Sequence, residues 1–159
     1  GSGMTQMDFP LILKWQYGFG SHHVFLVADS NRLEEIVSLY PKDELIVQEY
    51  VEADCEYKII TVGYKSLPLI TEYTIHATQK VSDLDTGESV DASLVPGLVK
   101  IAEQAARVMG RDLAKVDILQ KGSEYYILEV NRSPGLEPFE KVTGHNVARK
   151  FLEYLIRSE

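Results

Sequence analysis

The chain has 159 residues, 45% hydrophobic and 25% charged, which suffices for one compact domain with its own core and leaves little room for extended disorder. A formal net charge of −8 argues against a general nucleic-acid binder, because phosphate neutralisation needs a basic face. It leaves open a small anionic ligand held by a few local cations.

No apolar run approaches the roughly 20 residues that span a bilayer, and no signal peptide is visible. The single cysteine, Cys55, permits no internal disulfide and reads as structural, so a reducing, cytoplasmic setting is expected. Gly1-Ser2-Gly3 ahead of Met4 reads as a cloning scar, and residues 4–159 as one domain.

In chain order, "FPLILKW" (Phe9 to Trp15) predicts a buried strand with Lys14 inside it, followed by a turn at Gly18 and Gly20 and a second strand "VFLVA". "DSNRLEEIVSLY" opens with capping residues and spaces Leu33, Ile36, Val37 and Tyr40 as a helix does. "ELIVQEYV" predicts a strand, and "EYKIITVG" and "KSLPLITEYTI" two more joined at Gly63-Tyr64. The polar stretch Ala77 to Ser93 reads as a long loop. "LVPGLVKIAEQAARVMG" predicts an amphipathic helix closed by Gly110. "LAKVDILQ" and "EYYILEVN" form a hairpin about "KGS", and one or two helices broken near Gly144 end the chain. The class is α+β, with antiparallel sheets and helices packed on one side.

Glu129 and Asn131 are two apart on a strand and share a face. With "KGS" as a three-residue loop, Asp117 lies opposite Ile127, on that same face, diagonal to Glu129. Two carboxylates and an amide then form a hard-oxygen set suited to magnesium, which prefers carboxylates with substrate phosphates and water. A two-residue turn would reverse the parity, and ion pairing with Lys115 or Arg132 is the alternative use of these charges. Lys14 with the Gly18–Gly20 turn could set an ammonium and backbone amides around phosphates, or could simply reach water from a strand edge. His22 and His23 are adjacent, so at most one faces any site.

These pieces, in this order, resemble the C-terminal part of the ATP-grasp superfamily. "GRDLAKVDILQKGSEYYILEVNRSPGLEPFEKVTGHNVARKFLEYL" is similar to the RimK-type ligases, which join a carboxylate to an amine, and "FPLILK" and "IVQEYV" fall at that family's phosphate lysine and adenine hinge. The resemblance implies a partial nucleotide-binding lobe over residues 4–51 and a metal-binding lobe over 52–159. It implies ATP with Mg2+ or Mn2+ as cofactors. Lys14 would contact phosphates, with Gly18 and Gly20 in the glycine loop. Gln48, Glu49, Tyr50 and Val51 would line the adenine pocket, Glu56 would bond the ribose, and Asp117, Glu129 and Asn131 would bind the metal. ATP would phosphorylate a carboxylate and an amine would attack the acyl phosphate, by charge neutralisation and positioning.

The chain departs from that pattern. Only Met4 to Asp8 precede Phe9 where the family has a pre-ATP-grasp region, so a homodimer or a separate subunit would complete the site. Thr71 and Glu72 stand where the ligases place an arginine, and Glu72 would repel phosphates unless it faces away or pairs with Lys58 or Lys80. "GFGSHHV" and "EYKIITVG" are also similar to the ATP-grasp inositol-phosphate kinases, which would make His22 and Lys58 the catalytic pair, acting on a phosphorylated acceptor. The acceptor is thus a carboxylate with an amine, or a phosphorylated small molecule. A nucleotide-binding module that needs a partner is the third reading, and neither nucleic acid nor membrane is an expected partner.

Overall fold

The computed structural model describes residues 8–18, 23–75 and 87–158. The chain divides into two compact units, Gly1–Glu52 and Ala53–Glu159.

The first unit is a three-stranded antiparallel sheet with one helix. Strand β1 (Leu11–Trp15) lies between β2 (Val24–Val27) and β3 (Leu45–Glu49), and helix α1 (Ser30–Leu39) connects β2 toward β3. Asp29 caps α1 by accepting a hydrogen bond from the Arg32 N–H at 2.9 Å. Alternation along β1 sends Leu11 and Leu13 inward, where they meet Val27 and Ile36, and Leu33 and Val37 of α1 pack around them.

The second unit is a six-stranded sheet in the order β7-β6-β4-β8-β9, with the short β5 also on β4. Its strands are β4 (Cys55–Val62), β5 (Lys65–Ser66), β6 (Leu69–Thr74), β7 (Glu88–Asp91), β8 (Leu113–Lys121) and β9 (Glu124–Asn131), and every pairing is antiparallel. Helix α2 (Pro96–Val108) follows β7, and α3 (Glu137–Thr143) and α4 (Val147–Arg157) follow β9. Leu98, Ala102 and Ala106, spaced by one turn, bury one face of α2 against Tyr57, Ile59, Ile70, Val116 and Ile118. Gly110, with φ of 60°, ends that helix in the left-handed region, as its sequence predicts.

The α+β class and the antiparallel sheets match the expectation. In detail the helices divide between the faces of the larger sheet. Ile59 points to α2, and its neighbour Ile60 points the other way, into a small core with Leu67, Phe139 and Val147. The stretch read as a loop from Ala77 to Ser93 is partly a strand, since β7 pairs with β6 from Leu69–Asp91 to Glu72–Glu88. "ESVD" carries no apolar alternation, so only pairing with β6 defines it as a strand. His76 to Thr86 lie outside the described residues. Among the described residues no helix is long and apolar enough to cross a membrane.

Candidate active site

The helix α2 face of the larger sheet takes the odd residues of β4, so Glu56 and Lys58 are sent to the opposite face. The register pairs Lys58 with Asp117 on β8, Asp117 with Glu129 on β9, and Lys115 with Asn131. Paired residues share a face, so Glu56, Lys58, Lys115, Asp117, Glu129 and Asn131 form one charged patch. The three-residue loop expected at "KGS" is corrected: Lys121 pairs with Glu124, leaving a two-residue turn, and Ile127 pairs with Ile118 rather than Asp117. That turn alone would aim Glu129 at α2. A bulge between Asp117 and Ile118, absorbed at Leu128, moves Glu129 back to the Asp117 face.

The patch is crowded and short of positive charge. Asp117 is 5% and Glu56 is 2% exposed. Lys115 Nζ lies 3.3 Å from Asp117 Oδ2, and Lys58 Nζ lies 3.3 Å from Glu56 Oε1 and 5.0 Å above the Tyr73 ring. Asn131 Nδ2 donates to Glu129 Oε1 at 2.5 Å. Asp117 Oδ1 and Glu56 Oε2 are buried without a hydrogen-bond partner. Burial pushes the Asp117 carboxyl up to about 7, against the pull of Lys115 and Lys58 and with further upward pressure from Glu56 and Glu129. Burial likewise raises Glu56, with Lys58 opposing it. Burial acts to lower Lys58, but the carboxylates Glu56 and Asp117 outweigh it and hold the ammonium above its usual range.

A divalent cation would fit this set. A buried, unpartnered carboxylate oxygen is costly unless a charge or donor meets it. Among the described residues no three His, Cys, Asp or Glu side chains converge as a ready metal cage. Two carboxylates and an amide instead suit magnesium, which keeps waters and substrate phosphates among its ligands.

The other expected site residues are spread over the first unit and the neighbouring strands. In the first unit Lys14 pairs with Val24 and Ile46, and Ile12 with Leu26 and Gln48, on the sheet face that does not carry Leu11 and Leu13. Val24, Leu26 and Ile46 are exposed there, so this face offers apolar surface with one ammonium and one amide, a chemistry that suits a nucleobase and its phosphates. Glu49 pairs with Leu11 on the other face, and Tyr50 and Val51 follow the end of β3. The Gly18 N–H already donates to the Trp15 carbonyl at 2.8 Å, so that amide is not available to a phosphate. Gly20 and His22 lie outside the described residues. His23 stacks edge-on against Trp15, with ring centroids 5.0 Å apart, and belongs to an aromatic cluster with Tyr40. Glu72 pairs with Tyr57 and so faces away from the charged patch, whereas Thr71 lies in the row of Lys58. Lys115 was legible only as a possible ion-pair partner. Its i, i+2 spacing to Asp117 on a strand was the signal that it shares the site.

The RimK-like ATP-grasp domain model matches residues 3–155. The ribosomal protein bS6–L-glutamate ligase of Escherichia coli O81 (strain ED1a) is 30% identical over 152 residues, covering 93% of this chain and 51% of that protein. The chain thus spans about half the length of the curated relatives it matches. Among solved structures, D-alanine–D-alanine ligase from Bacillus anthracis complexed with ATP aligns with a TM-score of 0.67 at 21% identity, over 94% of this chain and 52% of that one. The macrocyclase MdnC from Microcystis aeruginosa MRC, bound with its precursor peptide MdnA, aligns at 0.67 and 16% identity, over 93% and 48%. At such identities these two structures speak for the fold. With the family model spanning nearly its whole length, the chain belongs to the RimK-like ATP-grasp family.

Proposed function

We infer that the chain is the ATP- and magnesium-binding part of an ATP-dependent carboxylate–amine ligase. The observation that carries this reading is the Asp117 Oδ1 atom, buried and unpartnered beside Glu129 and Asn131 on the face that also presents Lys58. Asp117, Glu129 and Asn131 would hold magnesium, which neutralises phosphate charge when bound. Lys14 would contact the phosphates and the apolar face around Ile12, Leu26 and Ile46 would receive the base. Glu56 would bond the ribose, and Tyr50 and Val51 would line the adenine pocket, as the family resemblance implies.

In the reaction so inferred, an oxygen of the acceptor carboxylate attacks the γ-phosphorus and ADP leaves. The amine nitrogen then attacks the acyl carbon, phosphate leaves, and the amine's surplus proton passes to solvent. Lys58, held above its usual pKa range, stays protonated through both steps and offers a fixed positive charge to the phosphoryl oxygens. The name of the curated relative, a ribosomal protein bS6–L-glutamate ligase, supports an amino acid or peptide as acceptor.

The test is calorimetric titration of ATP, with and without magnesium, into the chain and its Glu129→Ala variant. Binding that requires magnesium and weakens at least tenfold in the variant, about 1.4 kcal/mol, is the expected result. No binding at millimolar ATP rejects the reading for this chain. ADP release with carboxylate and amine, against release with inositol phosphates, separates ligase from kinase.

A further inference from the structure

Lys115 has no role in the site as described so far. Its ammonium lies 3.3 Å from Asp117 Oδ2, and only 19% of its side chain is exposed. It stands opposite Asn131, while Asp117 stands opposite Glu129, so it is embedded among the oxygen donors. The two oxygens of Asp117 are consequently unequal. Oδ2 faces a cation of the protein's own, and Oδ1 is buried without a partner.

A carboxylate binds a hard cation through one oxygen or through both. Magnesium demands near-octahedral geometry and takes single oxygens, whereas calcium accepts bidentate carboxylates and a looser shell. We propose that Lys115 is the positioning residue of the metal site: by holding Asp117 Oδ2 it leaves Oδ1 as the single ligand oxygen, and so selects magnesium over calcium. This rests on the function inferred above. A residue behind a metal ligand fixes that ligand's orientation, and its loss typically changes metal affinity by about 10- to 100-fold.

The test counts bound metal rather than turnover. Manganese uptake by the full chain in the presence of ADP is followed by loss of the free-ion electron paramagnetic resonance signal beyond that caused by ADP alone, and magnesium or calcium is added as competitor. In the wild type magnesium should displace manganese more effectively than calcium does. Lys115→Met keeps the length of the side chain but removes its charge and donors, and should lower the magnesium-over-calcium preference by about tenfold. Lys115→Arg, which still donates to Oδ2, should keep the wild-type preference, and Lys115→Leu, which also lacks charge and donors, serves the comparison if the methionine variant does not fold. An unchanged preference in a folded Lys115→Met protein overturns the proposal while leaving the metal site intact. A wild type that takes up no manganese with ADP overturns the metal site itself, and this role with it.

Discussion

Asp117 and Glu129 oppose each other across β8 and β9 although a two-residue turn joins those strands, because Leu128 is an extra residue on the β9 side. The pairs on either side of the bulge are Ile118–Ile127 and Asp117–Glu129. Deleting Leu128 makes these pairs successive and leaves a regular ladder. The Leu128 deletion should therefore keep magnesium-dependent ATP binding, measured by calorimetry. Loss of binding in a folded deletion protein would mean that the local twist of the bulge, beyond its register, aims the carboxylates.

Asp117 makes the metal-free chain sensitive to pH. Its carboxyl is raised to about 7 in the fold, whereas an unfolded aspartate titrates near 4. Between those values the folded chain binds more protons at this group than the unfolded one, so the Asp117 contribution to stability is fully present below about pH 4 and is lost as pH rises to about 7. The loss amounts to a few kcal/mol, because each tenfold difference in proton affinity between the folded and unfolded carboxyl is worth about 1.4 kcal/mol. Thermal melts in EDTA should show this slope in the wild type and a shallower one in Asp117→Asn, with the remainder from Glu56. Identical slopes in the two proteins would contradict the buried, cation-poor site.

Lys14 and Leu13 are neighbours with opposite consequences. Lys14→Met, on the exposed sheet face, should weaken ATP binding by about tenfold, or about 1.4 kcal/mol, with little change in the unfolding midpoint. Leu13 is 1% exposed in a core built on four buried side chains, so Leu13→Ala should cost about 2–5 kcal/mol in urea denaturation of the first unit. Equal effects of the two changes on stability would show that Lys14 is part of the packing rather than of a site.

Gly63 turns the chain between β4 and β5 at φ of 58°, and a Cβ added there would collide with the Tyr154 ring. Gly63→Ala should destabilise by more than about 1 kcal/mol through both strain and collision. Adding Tyr154→Leu should recover part of that loss, read as the shift in the denaturation midpoint. Full recovery would show that the backbone conformation itself carries no cost.

Much of this was legible in the sequence, for reasons that differ between residues. β4, β8 and α2 carry long regular periodicities, and tertiary packing agrees with them. β7 was hidden because "ESVD" becomes a strand only through β6. The Asp117–Glu129 convergence was expected from a loop length that does not occur; the bulge restores the same parity by another route. No sequence period marks a bulge, since it arises in pairing. The repulsion feared from Glu72 disappears because adjacent residues of β6 point to opposite faces, and only register shows which of Thr71 and Glu72 joins Lys58.

The alternation of β4 has a consequence for how this protein can change. Tyr57 and Ile59 serve the hydrophobic interior while Glu56 and Lys58, interleaved with them, serve the polar face. Partners across the strand keep the same division, as Thr71 beside Lys58 and Ile70 in the α2 core show. Evolution can therefore revise the chemistry of one face residue by residue without repacking the other. A neutral Thr71 in the row of Lys58 is the kind of revision that such a division of labour tolerates.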